Sequence, residues 1–152
     1  MAVKPIPDDY PRLIPYLAVD DAAAAIDFYQ KVLGATERVR MPGPDGKVAH
    51  AELGIGDAVV MLSDPFPEQP IQSPKAVGGN SVSLMVYVED VDSVFANAIK
   101  AGATEIQAVA DQFYGDRSGQ FKDPFGHNWN VATHVEDVSP EEMSKRMAGS
   151  GG

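Results

Sequence analysis

The chain has 152 residues, enough for a compact fold with its own core, and its 44% hydrophobic and 22% charged content is that of a soluble globular protein. It has no cysteine, which excludes disulfides, thiol catalysis and cysteine zinc sites and points to a cytoplasmic protein. A net charge of −10 argues against a nucleic-acid partner, whose phosphates need a basic face, and it would favour a cationic ligand at long range or simply aid solubility.

The opening segment, MAVKPIPDDYPRL, lacks the apolar stretch of a signal peptide. No apolar run reaches membrane-spanning length, so no membrane partner is expected. Residues 1–11 read as a Pro-rich extended arm. Residues 13–19 predict a strand. Asp20 or Asp21 can cap a helix over residues 22–33, with an apolar stripe of Ala22, Ala25, Ile26, Tyr29 and Leu33 and Gly34 just past its end. Residues 37–41 predict a second strand and MPGPDG a loop. Residues 48–54 and 58–63 predict two strands joined by a tight turn at Gly56-Asp57. If Ile55 and Ala58 flank that turn, Leu53 faces Val60, Glu52 faces Met61 and His50 faces Ser63. One face then carries Ala51, Leu53, Val60 and Leu62 and packs on the core. The other carries His50, Glu52, Met61 and Ser63.

Residues 65–80, with four prolines and two glycines, read as a linker or long surface loop. Residues 81–88 alternate as a strand. Asp90 can cap a helix striped by Val91, Val94, Phe95, Ala98 and Ile99 and ended by Gly102, and residues 104–109 predict another strand. The stretch YGDRSGQFKDPFGHNWNVAT, residues 114–133, reads as a hairpin turning at Pro124-Phe125-Gly126. Beyond the turn Trp129 and Val131 point to the core, and Asn128, Asn130 and Ala132 point the other way. His127 shares the parity of Trp129, and His134 is placed beyond the strand. Ser139-Pro140-Glu141-Glu142 opens a capped helix reaching about Met147, so that 136–148 form a C-terminal helix and 149–152 a flexible tail.

The two halves repeat. VDD at 19–21 returns as VED at 88–90, and GATE at 34–37 returns unchanged at 102–105. Each half reads strand, helix, strand, strand, strand, which predicts an α+β fold of two βαβββ modules, 12–64 and 81–135. A four-stranded sheet with one helix leaves a face uncovered. Two such faces can enclose a cleft for a small molecule, or else pack together or form a dimer interface. Strand parity assigns Ile14, Tyr16, His50, Glu52, Met61 and Ser63 to the first uncovered face and Ser83, Met85, Tyr87, Asn128 and Asn130 to the second.

The repeated pattern, with AVDDAAAAIDFYQKVLGA in the first half and FKDPFGHNWNVATHVEDVSPEE near the end, resembles the glyoxalase/bleomycin-resistance/dioxygenase superfamily, the vicinal oxygen chelate fold, and within it the PhnB-like branch. In metal-dependent members of that family, a His or Glu from the first and last strand of each module holds one divalent ion. The resemblance carries those four positions onto Ile14, Met61, Ser83 and Asn130. None is a good ligand: isoleucine has no lone pair, a thioether is soft, and Ser and Asn are weak neutral oxygens. No metal or other cofactor is therefore expected, and the alternative is a divalent metal relocated to His50 and Glu52. Those two residues are also candidates for metal-free acid–base catalysis. The family resemblance places Tyr114, Asp116 and Arg117 at the cleft rim, where Arg117 could clamp an anion with Asp116 orienting it, or form a structural Asp–Arg pair that orders the hairpin. Trp129 is read as core.

These readings predict a homodimeric protein that sequesters a small organic molecule, such as an antibiotic or toxic metabolite. The alternative is a lyase, isomerase or dioxygenase of the same superfamily, and a scaffold acting through its surface is a third.

Overall fold

The computed structural model describes residues 2–150. The chain divides between Asn80 and Ser81 into two compact units of the same architecture. No helix among the described residues is long and apolar enough to cross a membrane.

In the first unit the strands are β1 (Tyr16–Ala18), β2 (Thr36–Pro42), β3 (Val48–Ile55) and β4 (Ala58–Ser63), and the main helix is α1 (Ala22–Leu33). The sheet order is β1-β4-β3-β2, with β1 parallel to β4 and the other pairs antiparallel. Strand β1 is shorter than the expected 13–19. Pro15 has no N–H to give a ladder, and although its carbonyl accepts from Met61 N, Leu13 is left 87% exposed. Ile14 thus precedes the strand instead of lying on it. The β3–β4 register is the one the turn dictates: Leu53 opposite Val60 and Glu52 opposite Met61.

Asp21 caps α1, its carboxylate accepting from Ala24 N at 3.2 Å. It does so at φ 72°, a left-handed conformation that Asp tolerates better than most residues. Buried on α1 are Ala22, Ala25, Ile26, Phe28, Tyr29 and Val32, while Leu33 is only half-buried. The covered stripe is therefore wider than expected and shifted toward Phe28 and Val32. Asp64, at the end of β4, is 5% exposed. One of its oxygens accepts from the N–H groups of Asp21 and Ala22 at 3.0 and 3.1 Å, and the other from Val48 N at 2.7 Å. This carboxylate joins the positive end of the helix dipole to the start of β3.

The 65–80 segment is more ordered than a plain linker. It holds a short helix, α2 (Pro74–Val77), capped by a fully buried Ser73 whose hydroxyl accepts from Ala76 N at 3.3 Å.

The second unit repeats the plan with β5 (Ser83–Tyr87), α3 (Val91–Lys100), β6 (Thr104–Asp111), β7 (Asp116–Lys122) and β8 (Asn128–His134), followed by α4 (Pro140–Ser150). Its sheet order is β5-β8-β7-β6, with β5 parallel to β8. Asp90 caps α3, but only Val91, Phe95 and Ala98 of the expected stripe are buried, with Ile99 39% exposed. Thr133 does here what Asp64 does in the first unit, 69 positions earlier: its hydroxyl accepts from Val91 N at 3.0 Å and donates to the Val88 carbonyl at 2.8 Å. The outer strands repeat as well. Both β2 and β6 break register at equivalent places, between Glu37 and Val39 and between Glu105 and Gln107, and both are largely exposed.

The DPFG turn is built around Asp123, which is 3% exposed. Its Oδ1 accepts from the N–H of Phe125 and of His127, both at 2.9 Å, and its Oδ2 accepts from the Trp129 indole N–H at 2.9 Å. Trp129 and Val131 are buried as parity requires. A side chain is poorly tolerated at two nearby glycines. A Cβ on Gly119 would stand 2.8 Å from Val109 Cγ2 and 3.0 Å from Phe95 Cε2. Gly115 has φ +104°, and a Cβ there would collide with the Glu136 carbonyl. Helix α4 starts at its capping Ser139 and extends past the expected end near Met147 to Ser150. Gly149 and Ser150, assigned to the tail by the sequence, are thus helical, and 151–152 lie outside the described residues.

Candidate functional site

In the first unit the sheet face that carries Ala51, Leu53, Val60 and Leu62 is buried, and α1 packs on this sheet. The opposite face bears a row that runs Tyr16, Met61, Glu52 and Val39 across β1, β4, β3 and β2. His50 stands two residues from Glu52 on the same face. Four polar groups connect there end to end. The Tyr16 hydroxyl lies 3.0 Å from His50 Nδ1, His50 Nε2 lies 2.9 Å from Glu52 Oε2, and the Tyr10 hydroxyl donates to Glu52 Oε1 at 2.6 Å.

Glu52 is 7% exposed and would be costly to ionise alone. The Tyr10 hydrogen bond, then that of His50, outweigh burial and hold its carboxyl below the usual range. The same contact pushes the Tyr10 phenol up. Tyr10 is held in place by Arg38, whose guanidinium lies 4.6 Å from the ring centroid and donates to the Asp9 carbonyl at 2.9 Å. Ser63, also assigned to this face, is fully buried, with a hydroxyl that has no partner among the described residues.

In the second unit Ser83, Met85 and Tyr87 lie beside Asn128, Asn130 and Ala132 in register. Met85 and Tyr87 are 50% and 60% exposed. The side-chain carbonyl oxygens of Asn128 and Asn130 are buried and have no hydrogen-bond partner among the described residues. Asp116, 4% exposed, accepts from the Tyr87 hydroxyl at 2.8 Å and bonds His134 Nδ1 at 2.9 Å, and His134 Nε2 lies 2.8 Å from Asp137. Carboxylates on both ring nitrogens favour the imidazolium form, in which both are N–H. The Asp116 and Asp137 bonds, in that order, raise its pKa, and Asp116 likewise raises that of Tyr87.

Arg117 is not oriented by Asp116. Adjacent strand residues face opposite ways. The Arg117 guanidinium instead makes a bidentate pair with Asp92 of α3 at 2.8 and 2.9 Å and reaches Asp111 at 3.2 Å. Its cation is thereby committed to the helix side of the sheet. Tyr114 stacks edge-on with Phe113 at 5.2 Å and is 36% exposed.

Sequence reasoning missed Tyr10 and His134. His134 shares the even parity of Asn128, Asn130 and Ala132, which counted one step further would have found it. Tyr10 had no such signal, since it comes from the Pro-rich arm, 42 residues from Glu52. Among the described residues no three His, Asp or Glu side chains converge so as to hold a metal ion.

An uncharacterized protein of Mycobacterium bovis is 45% identical to this chain over 144 residues, which is 93% of this chain and 95% of that one. Among solved structures, TioX from Micromonospora sp. ML1 matches with a TM-score of 0.63 at 26% identity, covering 85% of this chain and 100% of its own. An Arabidopsis thaliana gene product matches with a TM-score of 0.67 at 24% identity, covering 81% and 98%. The profile of the Glyoxalase/Bleomycin resistance protein/Dioxygenase superfamily matches residues 12–131, across both βαβββ units, and the chain belongs to that superfamily.

Proposed function

We propose that this protein, as a PhnB-like member of its superfamily, binds a small organic molecule on the sheet face around His50 and Glu52 and so sequesters it. The observation that carries the reading is the bonded series Tyr16–His50–Glu52–Tyr10. It places an ionised carboxylate and an imidazole beside a thioether and an aromatic ring that stays 39% exposed. Apolar surface with a few fixed polar groups is what a small-molecule site requires. The unpaired amide oxygens of Asn128 and Asn130 add a second set of polar groups suited to a ligand on the sheet of the second unit. The reading uses no metal. The side chains at Ile14, Met61, Ser83 and Asn130 are poor donors, and an ion on His50 and Glu52 would have to break bonds to two tyrosines. Homodimerisation belongs to the same proposal, and light scattering at micromolar concentration checks it.

A broad ligand screen by thermal shift tests the binding. A true ligand raises the Tm in proportion to the logarithm of its concentration, by mass action, and the rise disappears in Glu52→Ala. A screen in which nothing does so refutes the reading.

One arrangement favours an enzyme instead. Glu52, His50 and Tyr16 align as carboxylate, imidazole and hydroxyl, the order in which a base is oriented and then activates an O–H. An isomerase, lyase or dioxygenase is the corresponding reading. Elemental analysis of protein purified without chelator separates its metal-free and divalent-metal forms. Stoichiometric metal lost in Glu52→Ala would support the latter.

A further inference from the structure

The hydrogen-bond directions around His50 specify which polarity of ligand the first unit's sheet face can accept, an inference that rests on the binding reading above. An ionised carboxylate only accepts. The Tyr10 hydroxyl therefore donates to Glu52 Oε1, and His50 Nε2 carries a hydrogen and donates to Oε2. A neutral imidazole has one N–H. With that hydrogen on Nε2, Nδ1 is an acceptor, and the Tyr16 hydroxyl at 3.0 Å must donate into it. The single proton of Tyr16 is thereby turned inward, and only lone pairs are left on its oxygen.

We propose that Tyr16 presents an acceptor-only oxygen to the ligand, so that this face selects molecules carrying an N–H or O–H donor beside an apolar ring or chain. Without a carboxylate behind it His50 could take either tautomer, and Tyr16 could then serve either polarity. Glu52 removes that freedom from a position the ligand need not touch. The apolar half of the recognition falls to Met61, paired with Tyr16 across the strands, and to the half-exposed Tyr16 ring itself.

Indole and quinoline test this directly. Both are flat, fused and neutral at about pH 8. One offers a ring N–H and the other a ring acceptor, so the net charge of the protein does not separate them. Each is titrated into the full chain while backbone amide shifts are followed by NMR. Indole is expected to shift the amides of Tyr16, His50 and Met61 and to bind at least about tenfold tighter than quinoline, the discrimination that one paired against one unpaired polar group provides. Tyr16→Phe keeps most of the apolar contact and should bring the ratio to about one. Glu52→Gln should also bring it toward about one. The Gln amide can donate to His50 Nε2 or accept from it, with the Tyr10 hydroxyl meeting its other end either way, so the imidazole takes either tautomer and Tyr16 serves either polarity. Quinoline binding as tightly as indole to the unmodified chain overturns the inference and leaves the binding reading standing. If neither ring moves an amide of this face, the inference is also overturned, and the ligand screen decides separately whether the binding reading falls with it.

Discussion

Replacing Asp123 by Asn changes one atom in a buried turn and should cost far more than that suggests. The carboxylate accepts from two backbone N–H groups on Oδ1 and from the Trp129 indole on Oδ2. An asparagine has the same shape but only one oxygen. In its better orientation it keeps the two backbone bonds, now to a neutral acceptor, and points its NH2 at the indole N–H. A hydrogen bond to a charged group contributes about 1.5–3 kcal/mol, and a buried donor left unpaired costs about 1–3 kcal/mol. A net loss of about 3 kcal/mol follows. For a chain of this size about 1 kcal/mol moves the Tm by about 2–4 °C, so the expected drop is about 6–12 °C. Urea unfolding followed by tryptophan emission is the natural assay, because Trp129 is the only tryptophan and is itself one of these partners. Asp123→Ala, which strips all of these bonds, should lose more than Asp123→Asn. A loss below about 0.5 kcal/mol for Asp123→Asn, with unchanged native emission, would refute the claim that this carboxylate holds the turn.

Gly119→Ala should destabilise by about 1–3 kcal/mol through overpacking against Phe95 and Val109, measured by the same unfolding curve. Gly115→Ala should lose more, since a positive φ and a backbone clash act together. The folded pKa of His134 is raised, so the stability it contributes is complete below the unfolded imidazole value and fades as pH rises through the folded one. The difference in unfolding free energy between the native chain and His134→Gln should accordingly be widest in mild acid and shrink toward alkaline pH, and a difference that grows with pH would be wrong in sign. The folded pKa of Glu52 is lowered, chiefly by Tyr10, so its contribution is present above the unfolded carboxyl value and is lost as pH falls through the folded one. Tyr10→Phe should move the Glu52 titration upward in a carboxyl-carbon NMR experiment, toward the ordinary range.

The β3–β4 register was legible because a two-residue turn at Gly56-Asp57 leaves only one pairing, and from it followed the shared face of His50 and Glu52. Helix α1 was legible at both ends, since Asp21 and Gly34 are local signals. Contacts made by irregular chain were not. No periodicity places Tyr10 over Glu52 or ties Asp64 to the start of α1. The YGDR segment misled for a physical reason. Asp116 and Arg117 look like a pair because they are adjacent, yet a strand sends neighbours to opposite faces, so Asp116 joins Tyr87 and His134 while Arg117 joins Asp92. Residues 65–80 hid a helical turn among their prolines because Ser73-Pro74 starts a helix as readily as Pro-Gly composition suggests a loop.

The matching breaks in β2 and β6 have a consequence for life in a crowded cell. A long exposed strand invites a stranger to line up along it, donor to acceptor, and the two together seed an aggregate. Here the pairing skips at the same point in each half, one residue beyond the repeated Gly-Ala-Thr-Glu, the kind of irregularity that bends an outer strand and spoils it as a template. Whatever else diverged between the halves, each kept its own guard against sticking to its neighbours.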